Sequence, residues 1–430
     1  MTSPPTTGTA CPGAAWRAAR AVLPPGHLDA AGCNVPGDRT LDAVIGHLHL
    51  ERERGGYPAE PDLTDTRTAL AALTGAALGT VAGAVPGAVP GVVPGAVAGV
   101  APDAVPDAVP DAVPGAVVGA VPGAGPDDVA FAESGTVAMA ALLGGWRLPP
   151  GSRVGHLRTE YGSTLMLLRR LAADRAWTLV ELPADADGRA DLDGLRERLS
   201  AGLSLVTVPH IASHHGVVQP AAAIGALCRA AGVPLVLDAC QSFGHVDVTG
   251  AGATAYVGTS RKWLAGPRGV GFLIVPGLTP AMDAPFPALH GHADGVPLPG
   301  AVRYEGAEAA MAARVGLGEA VREHLALGPA AVHAHLAHLG RTTRRTLDGA
   351  GGWRVREPLD EPSALVTLRP PPGDSAAAAR ARAARAGLLV SVVPTARAPL
   401  DLTEPVLRVS PPPGTPPETL TALARVLSER

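Results

Sequence analysis

The sequence predicts an α/β protein: a large domain on a mainly parallel sheet, then a smaller α+β C-terminal domain. Three observations predict it. Short apolar runs of buried-strand length recur along the chain, and alanine- and leucine-rich helical stretches separate them, the pattern of a doubly wound sheet. From about residue 285 that alternation gives way to a long helical stretch and a mixed segment. At 430 residues the chain is long enough for both units.

The expected strands of the large domain fall at residues 129–131, 154–157, 178–182, 205–208, 233–237, 255–258 and 271–275, all but the first read as buried parallel strands. Helices are expected at 136–143, 165–173 and 221–231, then one long stretch over 307–347 and a final helix over 417–427. Residues 1–50 are assigned to the small domain and the active site, 51–285 to the large domain, and 286–430 to the small C-terminal domain. Residues 80–126 interrupt this order with Gly-Ala-Val-Pro and Asp-Ala-Val-Pro units, proline recurring at every fourth position with two exceptions, Ala98 and Val118. Proline at that density breaks helices and strands alike, so the tract is expected to be a flexible insertion rather than a membrane span.

Composition excludes several roles. A net charge of −4 gives no electrostatic footprint for nucleic acid. The first 25 residues lack a basic segment followed by an apolar one, so no signal peptide is expected. The four cysteines, at 11, 33, 228 and 240, have no paired spacing and suit the reduced thiols of a cytoplasmic protein. Cys33 and Cys240 are expected to pack as small apolar residues. His210, His214 and His215 follow Pro209 in a loop and do not meet the helical zinc pattern, so no metal is expected. Trp146 and Trp177 are expected in the core.

Lys262 carries the chemistry. It is the one lysine among 35 basic residues, the others being arginine. Arginine replaces lysine wherever only charge is needed, but not where a nucleophilic amine must attack a carbonyl. In an open parallel sheet, ligands bind beyond the carboxyl ends of the strands. Asp238 closes one such run, 24 residues before Lys262, and Gln241 follows three residues later. Ser134-Gly135-Thr136 follows another run and opens a helix, where free N–H groups and hydroxyls form a phosphate cup. An aldehyde-binding lysine, a carboxylate for a ring nitrogen and a phosphate cup together describe pyridoxal phosphate.

Asp238-Ala239-Cys240-Gln241-Ser242, Thr259-Ser260-Arg261-Lys262 and Gly266-Pro267-Arg268-Gly269-Val270-Gly271 resemble the class V aminotransferase and cysteine desulfurase superfamily, pyridoxal phosphate enzymes of fold type I. The resemblance implies that Lys262 bonds the cofactor aldehyde, that Asp238 holds the pyridine nitrogen, and that Gln241 meets the ring hydroxyl oxygen. It implies that Thr259 and Arg261 join Ser134, Gly135 and Thr136 around the phosphate, that Tyr161 stacks on the ring, and that Ser213 and His214 lie near the ring hydroxyl. Arg408 would grip the substrate carboxylate. A homodimer is implied as well. Within the superfamily, the absence of any cysteine after Cys240 argues against a desulfurase, which needs a persulfide-accepting cysteine between the lysine and the carboxylate arginine. His27-Leu28-Asp29-Ala30-Ala31-Gly32-Cys33, the 51–60 segment and Arg303-Tyr304-Glu305 resemble the lyases of ergothioneine biosynthesis, which cleave hercynylcysteine sulfoxide. Tyr57, Glu60 or Tyr304 would then receive the substrate's trimethylammonium group. A class V aminotransferase or epimerase acting on another amino acid is the alternative.

Overall fold

The computed structural model describes residues 11–75 and 123–429. The proline tract lies outside the described residues except for its last positions, where Pro126 opens a 3-10 turn, Pro126–Asp128.

The N-terminal part contributes helices α1 (Pro12–Ala18), α2 (Asp38–Arg54) and α3 (Thr64–Ala72). The large unit then alternates β1 (Val129–Ala132), α4 (Gly135–Gly145), β2 (Arg153–His156), α5 (Gly162–Arg175), β3 (Thr178–Glu181), α6 (Leu192–Ser200) and β4 (Leu205–Pro209). A small hairpin of β5 (Ile211–Ala212) and β6 (His215–Val218) follows, then α7 (Ala221–Ala230), β7 (Leu235–Asp238), β8 (Ala255–Thr259) and β9 (Gly271–Ile274). Seven strands form one sheet in the order β1-β9-β8-β7-β4-β2-β3. Alternate residues of each strand feed two apolar clusters, one on each face. Leu235, Leu237 and Tyr256 join one, while Val236, Ala255 and Val257 join the other. Helices cover both faces, which is why the strands read as near-continuous apolar runs. Trp146 and Trp177 are core residues, as the sequence suggested.

Two expectations are corrected. β9 runs antiparallel to both β8 and β1, not parallel. The return between β8 and β9 holds no helix, and a parallel crossover needs a dozen or more residues, usually helical. The expected single helical stretch is two helices, α8 (Met311–Leu327) and α9 (Pro329–Leu347), divided by Gly328 at φ 79° and by a proline with no N–H to give.

The smaller sheet follows the β10 (His292–Ala293) and β11 (Val296–Pro297) hairpin and helices α8 and α9. It comprises β12 (Arg354–Val355), β13 (Val366–Arg369), β14 (Ser391–Val393) and β15 (Val406–Val409), in the order β12-β13-β15-β14, with α10 (Ala376–Arg385) and α11 (Pro417–Ser428) packed on it. Residues 28–30 run beside this sheet. Leu28 N–H donates to the Leu389 carbonyl at 3.0 Å, and Ala30 N–H to that of Ser410 at 2.9 Å. That pairing carries Ala31 and Gly32 to the carboxyl edge of the large sheet.

Candidate active site

β1, β4, β7 and β8 share one direction, so their carboxyl ends deliver Ser134, Pro209, Asp238 and Thr259 to one cavity. The cup forms first. Ser134 is in extended conformation at the N-cap of α4, and its Oγ accepts the Val137 N–H at 3.2 Å. Two glycines permit the close packing around it. A Cβ on Gly135 would run into the Cys240 sulfur, and one on Gly271 would strike the backbone of Ser134 and Gly135. The antiparallel β9 therefore starts directly under the cup. Thr136, Thr259 and Arg261 line the same space. Helix N–H groups, hydroxyls and one guanidinium suit a phosphate.

Lys262 stands on the β8–β9 return, which Ser260 N–H fastens to the Val270 carbonyl at 3.0 Å and Asn34 N–H to the Arg261 carbonyl at 2.8 Å. Its amine faces the cavity. Burial pulls that amine down to about 8, with nearby Asp238 opposing the fall and Arg261 and Arg408 adding to it. Asp238 ends β7, and its Oδ1 accepts the Cys240 N–H at 2.9 Å. Gln241 Nε2 donates to the Ala31 carbonyl at 3.1 Å, and its Oε1 accepts the Trp263 indole N–H at 2.9 Å. Trp263 in turn stacks on His245 with ring centroids 3.7 Å apart. One N–H of Gln241 is left for another acceptor. Ser213 lines the cavity, and its buried Oγ has no partner among the described residues, which fits a polar ligand atom there. Cup, lysine, carboxylate and orphan hydroxyl converge as pyridoxal phosphate requires.

Not every expected residue reaches this place. His214 turns away: its Nε2 pairs with Asp401 at 2.8 Å, and Arg356 reaches the same carboxylate at 3.2 Å. Ser213 and His214 form the turn of the β5–β6 hairpin, and the first lines the cavity while the second is turned to Asp401. Arg408 lies behind Ser213, not on the cavity wall. It donates to the Ser213 carbonyl at 3.1 Å and pairs with Asp29 at 2.9 Å, and its Nε has no partner among the described residues. Tyr57 is 85% exposed and borders a different cleft, with Glu51, Glu60 and Glu308. Tyr304 is buried in the core, its hydroxyl unpartnered among the described residues. Neither tyrosine reaches the cavity.

Three side chains at the site went unassigned from sequence. Cys240, expected merely to fill space, lines the cavity, and burial pushes its thiol well up. Glu160 is fully buried beside Asp238. Burial and that neighbouring charge push its carboxyl up to about 8, while its oxygens accept from the Tyr161 N–H and the Thr207 hydroxyl. Its one sequence signal was adjacency to Tyr161. Arg397, on the turn Thr395–Arg397, lines the cavity with its guanidinium 5.9 Å from the Tyr161 ring centroid.

Known proteins share this architecture. The profile of the family described as Aminotransferase class-V matches residues 116–391. A probable hercynylcysteine sulfoxide lyase of Mycobacterium tuberculosis is 37% identical over 423 residues, covering 96% of this chain and 92% of that one. A probable cysteine desulfurase of Methanothermobacter thermautotrophicus is 32% identical, but over only 34% of this chain and 37% of its own. Among solved structures, the apo cysteine desulfurase of Thermococcus onnurineus superposes with a TM-score of 0.73 at 18% identity, over 94% of each chain. The cystine C–S lyase C-DES in complex with cysteine persulfide gives 0.73 at 17% identity, over 94% of this chain and 97% of that one.

Proposed function

Because the chain belongs to the class V aminotransferase family, whose cofactor is pyridoxal phosphate, we propose that it is a carbon–sulfur lyase cleaving hercynylcysteine sulfoxide to ergothioneine sulfenic acid, pyruvate and ammonia. The observation that carries the lyase chemistry is the single lysine, its amine lowered to about 8, in one cavity with Asp238 and the Ser134 cup. The substrate assignment is supported by a relative of that name matching nearly the whole chain, and by the lack of any cysteine beyond Cys240 to accept sulfur.

When bound, pyridoxal phosphate supplies an aldehyde for amine exchange and a ring that withdraws electrons from the substrate Cα. The chain's residues do the rest. Ser134, Gly135, Thr136, Thr259 and Arg261 hold the phosphate. Asp238 offers its carboxylate to a protonated ring nitrogen, and Gln241 and Ser213 offer hydrogen bonds to the ring oxygen. Tyr161, on the cavity wall, would shield the ring from water. Lys262, with an amine that is substantially neutral near pH 8, accepts the Cα proton. Arg408 would take the α-carboxylate on turning out from behind Ser213 and giving up the Asp29 carboxylate now on its guanidinium. Two such chains form a homodimer in this reading.

Holoprotein incubated with hercynylcysteine sulfoxide and a 2-oxo acid tests the proposal. Equal amounts of pyruvate and ammonia, with no amino group passed to the 2-oxo acid, are expected. Amino-group exchange without pyruvate release contradicts it in favour of an aminotransferase.

A further inference from the structure

Three basic side chains line the cavity, Arg261, Lys262 and Arg397, with Arg408 behind Ser213. The phosphate accounts for Arg261 and the cofactor aldehyde for Lys262. Arg408 has Asp29 at 2.9 Å and, on the lyase reading, the α-carboxylate after it. Arg397 is left over. Among the described residues, no carboxylate lies within ion-pair distance of it and no hydrogen bond engages its guanidinium. What it has is the Tyr161 ring at 5.9 Å and the repelling charge of Arg408. A guanidinium on a cavity wall that already carries Arg261 and Lys262 suits an anion, or an oxygen gaining negative charge.

The position of Arg397 is built, not incidental. Gly162 opens α5 without a Cβ, and one there would collide with the Ala396 carbonyl, so the turn carrying Arg397 lies directly on that helix start. Beyond the turn, the Arg158 guanidinium donates to the Leu400 carbonyl at 2.9 Å, and Asp401 is held by His214 and Arg356. A turn braced on both sides presents a guanidinium that needs little reordering on binding.

We propose that Arg397 binds the oxygen on the leaving sulfur, so that the enzyme selects cysteine S-conjugates carrying a sulfinyl oxygen over the corresponding thioethers. This rests on the lyase reading. As the Cα proton passes to Lys262, the Cα–Cβ double bond forms and the Cβ–S bond breaks. The S–O oxygen of the departing sulfenate takes the negative charge, and no external oxidant or reductant is needed. A thioether leaves as a thiolate with no oxygen for the guanidinium fork, whereas a sulfenate oxygen forms charge-assisted hydrogen bonds. An interaction that strengthens as charge develops raises the rate and not merely the affinity.

The test separates this inference from the lyase reading by measuring binding without turnover. Lys262→Ala protein, loaded with cofactor, is titrated with S-methylcysteine sulfoxide and with S-methylcysteine, and the cofactor's visible absorbance reports occupancy. The sulfoxide is expected to bind roughly 10- to 100-fold more tightly than the thioether, the size of hydrogen bonds to a charged group. Adding Arg397→Gln should abolish the preference while leaving thioether affinity within about threefold, and Arg397→Lys should restore part of it. Pyruvate release by the single Arg397→Gln variant should fall for the sulfoxide far more than for the thioether. Equal affinities with Arg397 intact, or equal losses for both ligands on its replacement, overturn the proposal. If Arg397 confers the preference but wild-type protein releases no pyruvate from hercynylcysteine sulfoxide, the lyase reading falls and the binding role of Arg397 stands.

Discussion

An amine at about 8 instead of the ordinary lysine value near 10.4 has a direct kinetic consequence. Only the neutral amine attacks an aldehyde, and the neutral fraction rises tenfold per pH unit below the pKa. Uptake of pyridoxal phosphate by apoprotein should therefore accelerate about tenfold per unit up to about pH 8 and level off above it. Stopped-flow absorbance checks this, and a rise continuing through pH 10 would contradict it. The lysine itself was legible in the sequence because no other side chain does its chemistry. Asp238 was legible because it ends a strand. Arg397 was not, since one more arginine among 34 carries no information until the fold brings it to the cavity. His214 was misplaced for a different reason: it sits in the turn of the β5–β6 hairpin, and residue types do not reveal that its partner is Asp401, 187 residues away.

At the scale of elements, β9 explains both a mistaken direction and a requirement of the site. Apolar runs look alike in parallel and antiparallel strands, so Gly271-Phe272-Leu273-Ile274 betrayed its place in the sheet but not its direction. Its antiparallel course places Gly271 against the backbone of Ser134 and Gly135. Gly271→Ala must push the cup aside. Overpacking of that kind costs about 1–3 kcal/mol, so the dissociation constant for pyridoxal phosphate should rise roughly 5- to 150-fold. Fluorescence titration measures it, and unchanged affinity would show that the contact does not shape the cup. The divided helix was legible in hindsight from Gly328-Pro329 alone, a stop followed by a start.

At the scale of the whole molecule, the N-terminal segment, the large sheet and the small sheet all supply parts of one site, so its geometry depends on how the small unit is held together. Arg344 does much of that holding. It is fully buried in α9, donates to the carbonyls of Glu361, Ser363 and Leu365 at 2.8–3.0 Å, and stands 3.9 Å from Glu357. Arg344→Ala takes the neighbouring cation from the buried Glu357 and a donor from each of three carbonyls, and should destabilise the protein by about 3–5 kcal/mol, read as a lower denaturation midpoint. A shift below about 1 kcal/mol would mean that solvent enters to replace it. Alternating strands and helices made this architecture readable in advance. The contacts of Arg408 with Asp29 and Ser213 were not, because pairings so far apart leave no local pattern.

The most direct test of the central claim is the visible absorbance of purified protein beside Lys262→Ala, before and after hercynylcysteine sulfoxide is added. A cofactor band whose resting position depends on Lys262, with pyruvate released only by the wild-type protein, is the predicted result. A protein that shows no such band after incubation with pyridoxal phosphate would contradict the account at its root.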